Sequence, residues 1–393
     1  MYYLKRTWAE IDLDALKENY CSYRKLIGNE TDILCVVKAN CYGHCDNAVA
    51  PMLEQELGVK WFAVSNIIEA EHLREIGIKG EILILGYTPV SEAENLVKYN
   101  IIQACTEYDY AKELNNQNTK KPVRLHIALD TGMTRIGFRG EVSDICDKIE
   151  QINAMENLST EGIFTHFAVA DSNEPDDDTY TINQAEKITA VYDELLKRGI
   201  KLKHCHYLNS AGGVYYYSNK STLARLGIIL YGLMPNPQKP LSFKPRSVMT
   251  LKSVVSQVKT VESNVSVSYG RTYKTTKPTK LATICCGYAD GYPRKLSNIG
   301  YVLINGHKAK ITGRVCMDQF MCDVTEIDNV KAGDTATLIG TEASETITAD
   351  DIADMTGTIG YEIVCGIAPR VPRVIIKNGQ EIDVYTEKSL PLN

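Results

Sequence analysis

Short apolar stretches separated by amphipathic segments constrain this chain more than any other feature. They fall at 32–37, 61–65, 81–85, 101–105, 122–129, 160–165, 204–208 and 222–226. Most have the length and β-branched content of strands buried on both faces. The segments between them, such as 66–76, 106–116 and 178–199, place apolar residues at helical period. Eight strand–helix units in succession predict a (β/α)8 barrel of the TIM type. A doubly wound open sheet usually has fewer strands over this length.

The rhythm stops at "MPNPQKP" (234–240), a proline-rich breaker. Residues 247–262 then alternate as a strand does, and further strand candidates follow between turn signals. Asn305-Gly306 and Asn378-Gly379 are strong hairpin turns. At 393 residues the chain exceeds one ordinary core. Two domains are expected, an α/β barrel over 1–243 and a mostly β domain over 244–393. "TWAEIDL" (7–13) has strand character and precedes the barrel rhythm, so it is expected to pair with the distant β domain.

A net charge of −6 excludes a chain built to track a phosphate backbone, so nucleic acid is not an expected partner. No apolar run is long enough to span a membrane, and the first residues lack a signal-peptide core, so the protein is expected in the cytoplasm. Several of the twelve cysteines sit inside apolar runs, where cysteine acts as a small hydrophobe. "CYGHC" (41–45) and "HCHY" (204–207) lack a second pair at zinc spacing, so no metal site is expected.

Chemistry gathers where the strands end. In "ILCVVKANCYGHC" the first buried run stops on Lys38, with Gly43 shortly after. A lysine there either snorkels to the rim or serves chemistry. Arg135 follows the fifth strand, His166 the sixth, Asn209 and Ser210 the seventh, and Arg225 with Gly227 the eighth. "SAGG" (210–213) and "RLGI" (225–228) occupy the places where such barrels bind phosphate. A lysine facing a phosphate site points to pyridoxal phosphate carried on Lys38.

"TWAEIDLDALKENY", "VVKANCYGHC", "LDTGMTRIGF", "THFAVAD", "HYLNSAGG", "RLGIILYG", "VSYGRTY", "CCGYADGYPR" and "GRVCMDQFMCDVT" together resemble the alanine racemases, in order and essentially end to end. The resemblance implies an isomerase that interconverts L- and D-alanine, supplies D-alanine for peptidoglycan, and works as a homodimer with shared active sites. Lys38 would carry the cofactor and act as one base. Tyr269 would be the opposing base, reaching into the partner's barrel. Tyr42, Ser210, Gly227, Ile228 and Tyr361 would hold the phosphate, with Asn209 beside them. Arg225 would face the pyridine nitrogen, and His166 would support Tyr269 and the cofactor ring. Arg135 would touch the cofactor's phenolic oxygen and the substrate carboxylate. Met317 would offer its backbone to that carboxylate. Asp171, Tyr288, Arg294, Arg314 and Ile359 fall in the implied substrate corridor.

Two bases on opposite faces of the α-carbon suit racemisation, and both lysine and tyrosine then need lowered pKa values. Ala128 departs from the pattern, because many members carry a lysine there, often carbamylated, that braces the arginine. Something else must position Arg135, or carboxylate binding is looser. Three alternatives share the barrel. A non-catalytic homeostasis protein lacks the β domain, and a decarboxylase presents an acid to the ring nitrogen. A serine racemase of the glycopeptide-resistance type usually adds a membrane domain and alters the tyrosine found here as Tyr361.

Overall fold

Apolar runs too short for helices can bury both faces only by pairing side by side, and they do so here. The computed structural model describes residues 3–387. The chain opens with β1 (Thr7–Asp12), which belongs to the distant sheet. Eight parallel strands follow: β2 (Asp32–Val36), β3 (Trp61–Val64), β4 (Glu81–Ile84), β5 (Ile101–Cys105), β6 (Val123–Ala128), β7 (Leu158–Phe164), β8 (His204–His206) and β9 (Leu223–Leu226). They pair in order from β2 to β8, and β9 returns against β2. A bridge between Leu208 and Ala224, with the Arg225 N–H donating to the Leu208 carbonyl at 2.9 Å, closes the ring. Helices Ile67–Glu75, Tyr108–Asn115 and Pro175–Lys197 match the periodic segments.

One expectation needs correcting. Arg225 does not follow its strand but lies within β9, with its side chain only 3% exposed.

After the breaker come β10 (Met249–Val261), a small pair β11 (Ser266–Val267) and β12 (Tyr273–Lys274), then β13 (Thr279–Ile284). β14 (Tyr301–Ile304), β15 (His307–Thr312), β16 (Phe320–Asp323), β17 (Thr335–Glu342) and β18 (Glu345–Ile347) continue the unit, and β19 (Arg373–Lys377) and β20 (Gln380–Tyr385) end it. β1 sits between β10, antiparallel, and β19, parallel, in one ten-stranded sheet. Both Asn-Gly turns join hairpins with two positive φ angles, +51° and +77° at Asn305-Gly306 and +51° and +70° at Asn378-Gly379.

Two helices inside the β unit were not anticipated, Ala349–Thr356 and Gly360–Cys365. The first starts at a capping box: Thr348 Oγ accepts the Asp351 N–H at 3.0 Å, and the Asp351 carboxylate accepts the Thr348 N–H at 2.7 Å. The second packs on the barrel, where a Cβ at Gly43 would collide with the Val364 carbonyl. Among the described residues no helix is long and apolar enough to cross a membrane, and no group of three or more His, Cys, Asp or Glu is placed to hold a metal. All twelve cysteines are free.

Arg373 ties the sheet to the barrel. Its guanidinium is buried and donates to four carbonyls: Gly43 at 3.1 Å, Ala368 and Val371 at 2.7 Å each, and Ile367 at 2.6 Å. Burial lowers its pKa to about 10, so it keeps its charge near neutral pH. Arg373→Met would strand those carbonyls, at a cost on the order of 3 kcal/mol. Denaturant unfolding should show that loss, and an unchanged midpoint would refute it.

Candidate active site

Lys38 stands directly after β2, and the chain behind it turns the wrong way. Ala39, Asn40, Cys41 and Tyr42 all have φ between +52° and +54°, a full left-handed turn of non-glycine residues. Such backbone costs roughly 1–2 kcal/mol per residue, so neighbours must hold it. Glu69 does part of this, accepting the Ala39 N–H at 2.9 Å and the Ser65 N–H at 2.7 Å. Buried His44 donates Nδ1–H to the carbonyls of Cys41 at 3.0 Å and Tyr42 at 2.8 Å. Burial drops the His44 pKa to about 4, so it stays neutral.

The turn puts Lys38 and Tyr42 on a cavity of about 480 Å³ at the barrel mouth. Arg135, His166, Asp171 and Asn209 line it too, as do Ser210, Arg225, Gly227, Ile228 and Tyr361. Eleven of the sequence-predicted site residues therefore meet in one place. Tyr269, Tyr288, Arg294, Arg314, Met317 and Ile359 do not line it. They lie on the β unit, where Tyr269 is 71% and Met317 53% exposed.

Burial is the main cause of Lys38's lowered pKa, and the Arg135 charge adds to it. Arg225 is lowered to about 10, first by burial, and remains a cation. Its Nη2 donates to the Thr165 carbonyl at 2.7 Å and meets His166 Nδ1 at 3.3 Å. Its Nη1 meets His206 Nδ1 at 3.0 Å. His166 is pushed to about 3 by burial and then by Arg225, Arg135 and Lys38, so it is neutral and its Nδ1 accepts.

His206 and His126 escaped the sequence reading. His206 Nδ1 accepts from Arg225, so its Nε2–H donates to His126 Nδ1 at 3.0 Å. The signal was present in "HCHY", weighed only as a metal motif. His126 is pushed to about 3 by burial, then by His204. Ala128 packs with Ala104 and Phe164, and Leu85 lies against them. No side chain among the described residues hydrogen-bonds to Arg135, which lines the cavity beside Ala128.

The cavity suits pyridoxal phosphate. At Gly227 a Cβ would stand 3.1 Å from the Tyr42 hydroxyl and 3.6 Å from Ser210 Oγ, filling a cradle that is lined by hydroxyls and left open by glycine. The Gly227 N–H donates to Ser210 Oγ at 2.9 Å and fixes that hydroxyl at the cradle's edge. Lys38 and the Arg225 cation border the same space. Fold and site define a class, the pyridoxal phosphate enzymes built on a parallel barrel joined to a β domain.

Comparison with known proteins narrows the class. The models of "Alanine racemase, N-terminal domain" and "Alanine racemase, C-terminal domain" match residues 11–235 and 248–375. The alanine racemase of Clostridium perfringens is 43% identical over 97% of this chain and 98% of its own length. Among solved structures, that of Clostridium difficile alanine racemase superposes with a TM-score of 0.92 at 36% identity, covering 98% of this chain and 100% of that one. The Bacillus anthracis enzyme with bound L-Ala-P also gives 0.92, at 33% identity and 99% coverage of each chain. The chain belongs to the alanine racemase family, whose cofactor is pyridoxal phosphate.

The neutral histidines have a consequence for stability. His126 has a folded pKa of about 3 against about 6.5 unfolded, so its stabilisation is complete above pH 6.5 and is lost as pH falls towards 3. At pH 5 the unfolded chain gains about 2 kcal/mol from protonating this one ring. The melting temperature should fall between pH 7 and pH 5, and fall less in His126→Gln. An equal slope in both proteins would refute this account.

Proposed function

We propose that this protein interconverts L-alanine and D-alanine, with pyridoxal phosphate held on Lys38, and that each cavity is completed by the β unit of a second subunit. One observation carries the reading: Lys38 borders the cavity, while Tyr269 stands exposed on the β unit outside it. Racemisation needs a proton removed on one face of the α-carbon and returned on the other. Lys38 serves one face, and a group delivered by a second subunit's β unit serves the other.

When bound, the cofactor withdraws electrons from the α-carbon and makes its proton removable. Lys38 Nζ moves the proton on one face, and its lowered pKa increases the neutral fraction able to accept it. The phenol oxygen of Tyr269 from the partner subunit acts on the opposite face. Arg135 grips the substrate carboxylate, and the Met317 N–H of the partner subunit donates to it. Tyr42, Ser210, Gly227, Ile228 and Tyr361 hold the phosphate, with Asn209 beside them. Arg225 would face the ring nitrogen as a cation that cannot protonate it as an acid would, which would weaken electron withdrawal and discourage transamination. Neutral His166 steadies the ring side. Asp171, Tyr288, Arg294, Arg314 and Ile359 line the corridor by which alanine enters. The product would serve peptidoglycan assembly, from the cytoplasm.

Mixing Lys38→Ala with Tyr269→Ala should recover about a quarter of wild-type turnover, because random assortment makes half the dimers mixed, each with one intact site. No recovery after proven subunit exchange would sink the shared site. Borohydride should fix the cofactor to the peptide containing Lys38, and label on any other lysine would end that assignment. Tyr269→Phe should slow racemisation roughly 10²- to 10⁴-fold with the cofactor's absorbance unchanged. Wild-type deuterium exchange from both enantiomers in that variant would exclude Tyr269 as a base.

A further inference from the structure

The β unit contains a closed ring of four charges that no step above uses. Asp290, 1% exposed, accepts from Arg6 through both carboxylate oxygens, at 2.9 and 3.1 Å. Arg370 Nε donates to the same carboxylate at 2.8 Å, and its Nη2 donates to Asp318 at 2.7 Å. Arg6 Nη2 closes the ring on the Asp318 backbone carbonyl at 3.0 Å. Arg6 precedes β1 and Arg370 precedes β19, so two neighbouring strands deliver the cations side by side.

The ring joins two loops. Asp290 also accepts the Gly287 N–H at 2.9 Å, which folds 287–291 into a tight turn. That turn grips the bend carrying Met317: the Tyr288 N–H donates to the Cys316 carbonyl at 3.1 Å, and the Ala289 N–H to the Met317 carbonyl at 3.0 Å. The loops approach so closely that a Cβ at Gly287 would collide with both carbonyls. The Cys316 carbonyl and the Met317 N–H belong to one planar peptide and point opposite ways. Holding the carbonyl therefore aims the N–H, which has no partner among the described residues.

We infer that Asp290, clamped by Arg6 and Arg370, is a positioning residue that aims the Met317 N–H at the substrate carboxylate in the partner's barrel. This rests on the proposed function, and it deepens it by assigning carboxylate recognition to a charge ring that touches neither substrate nor cofactor. A misaimed peptide loses one charge-assisted hydrogen bond to the carboxylate and leaves proton transfer at the α-carbon in place.

The test uses holoenzyme with Asp290→Asn and, in case the buried change impairs folding, Arg370→Met at the ring's solvent side. KM for alanine should rise about tenfold, the order of one such hydrogen bond, with kcat within about twofold. Titration followed by the cofactor's absorbance should show the same loss for alanine and none for ethylamine, which lacks the carboxylate. Arg370→Lys should recover part of the loss. Unchanged KM in either folded variant overturns the proposal, and so does equal weakening of alanine and ethylamine, which would mark a general structural role. Met317→Pro, which deletes the N–H, separates the two readings. If it raises KM while both ring variants do not, the clamp alone is wrong. If it leaves KM unchanged, the placement of Met317 falls and the clamp with it.

Discussion

The left-handed turn at Ala39–Tyr42 is the constraint on which the rest of the site depends. Four consecutive residues in that conformation are uphill and do not persist alone. The restraints come from several directions: Glu69 from beyond the next strand, His44 from the turn's own exit, and Arg373 with Val364 from the β unit. The turn is therefore held from both the barrel and the β unit. Its product is a lysine and a tyrosine set side by side on the cavity, where an ordinary helical turn would carry Tyr42 elsewhere. Strain, interdomain packing and cofactor placement are one problem with one solution.

A second constraint is charge. Lys38, Arg135 and Arg225 crowd one cavity, and each cation makes its neighbours harder to protonate. The chain accommodates Arg225 with carbonyls and neutral imidazoles rather than with a carboxylate. A carboxylate in contact would neutralise the guanidinium locally and reduce its effect on His166. Imidazoles kept neutral by burial satisfy its donors and leave the positive field intact. An anionic cofactor and a substrate carboxylate can then supply the missing negative charge on binding, and part of the folded state's electrostatic cost becomes binding specificity.

The barrel was legible because its strands are buried on both faces and its helices on one, so both periods stand clear in the sequence. Strand ends at the cavity followed from that spacing, which is why Lys38, Arg135, His166 and Ser210 were within reach. Arg225 was placed one step too late, because a cation inside an apolar strand contradicts the burial rule until its partners are known. His126 and His206 were hidden for the same reason. They sit on different strands, β6 and β8, and only the curvature of the sheet brings the rings together. The two helices between β18 and β19 are short and flanked by strand signals, though the Thr348–Asp351 capping box marked the first. The roles of Tyr269 and Met317 rested on resemblance, since a lone exposed tyrosine or methionine carries no periodic signal.

The two halves of the proposed site are prepared in different ways. The barrel half is preorganised by burial: its cradle and cations are fixed before anything binds. The other half is exposed, yet its backbone is also held. Positive φ angles at Ser268, Gly270 and Arg271 (+65°, +70° and +51°) bracket Tyr269, and Ser268 Oγ donates to the Arg314 carbonyl at 2.7 Å. A side chain that is free to solvent on a backbone that is not free loses only rotamer entropy when it docks. Loop ordering, the larger cost, has already been met inside the subunit. In the proposed dimer this keeps each completed cavity from depending on loop folding at the moment of assembly. In the proposed mechanism, left-handed non-glycine backbone behind Lys38 and around Tyr269 would hold both proton-handling groups at fixed points.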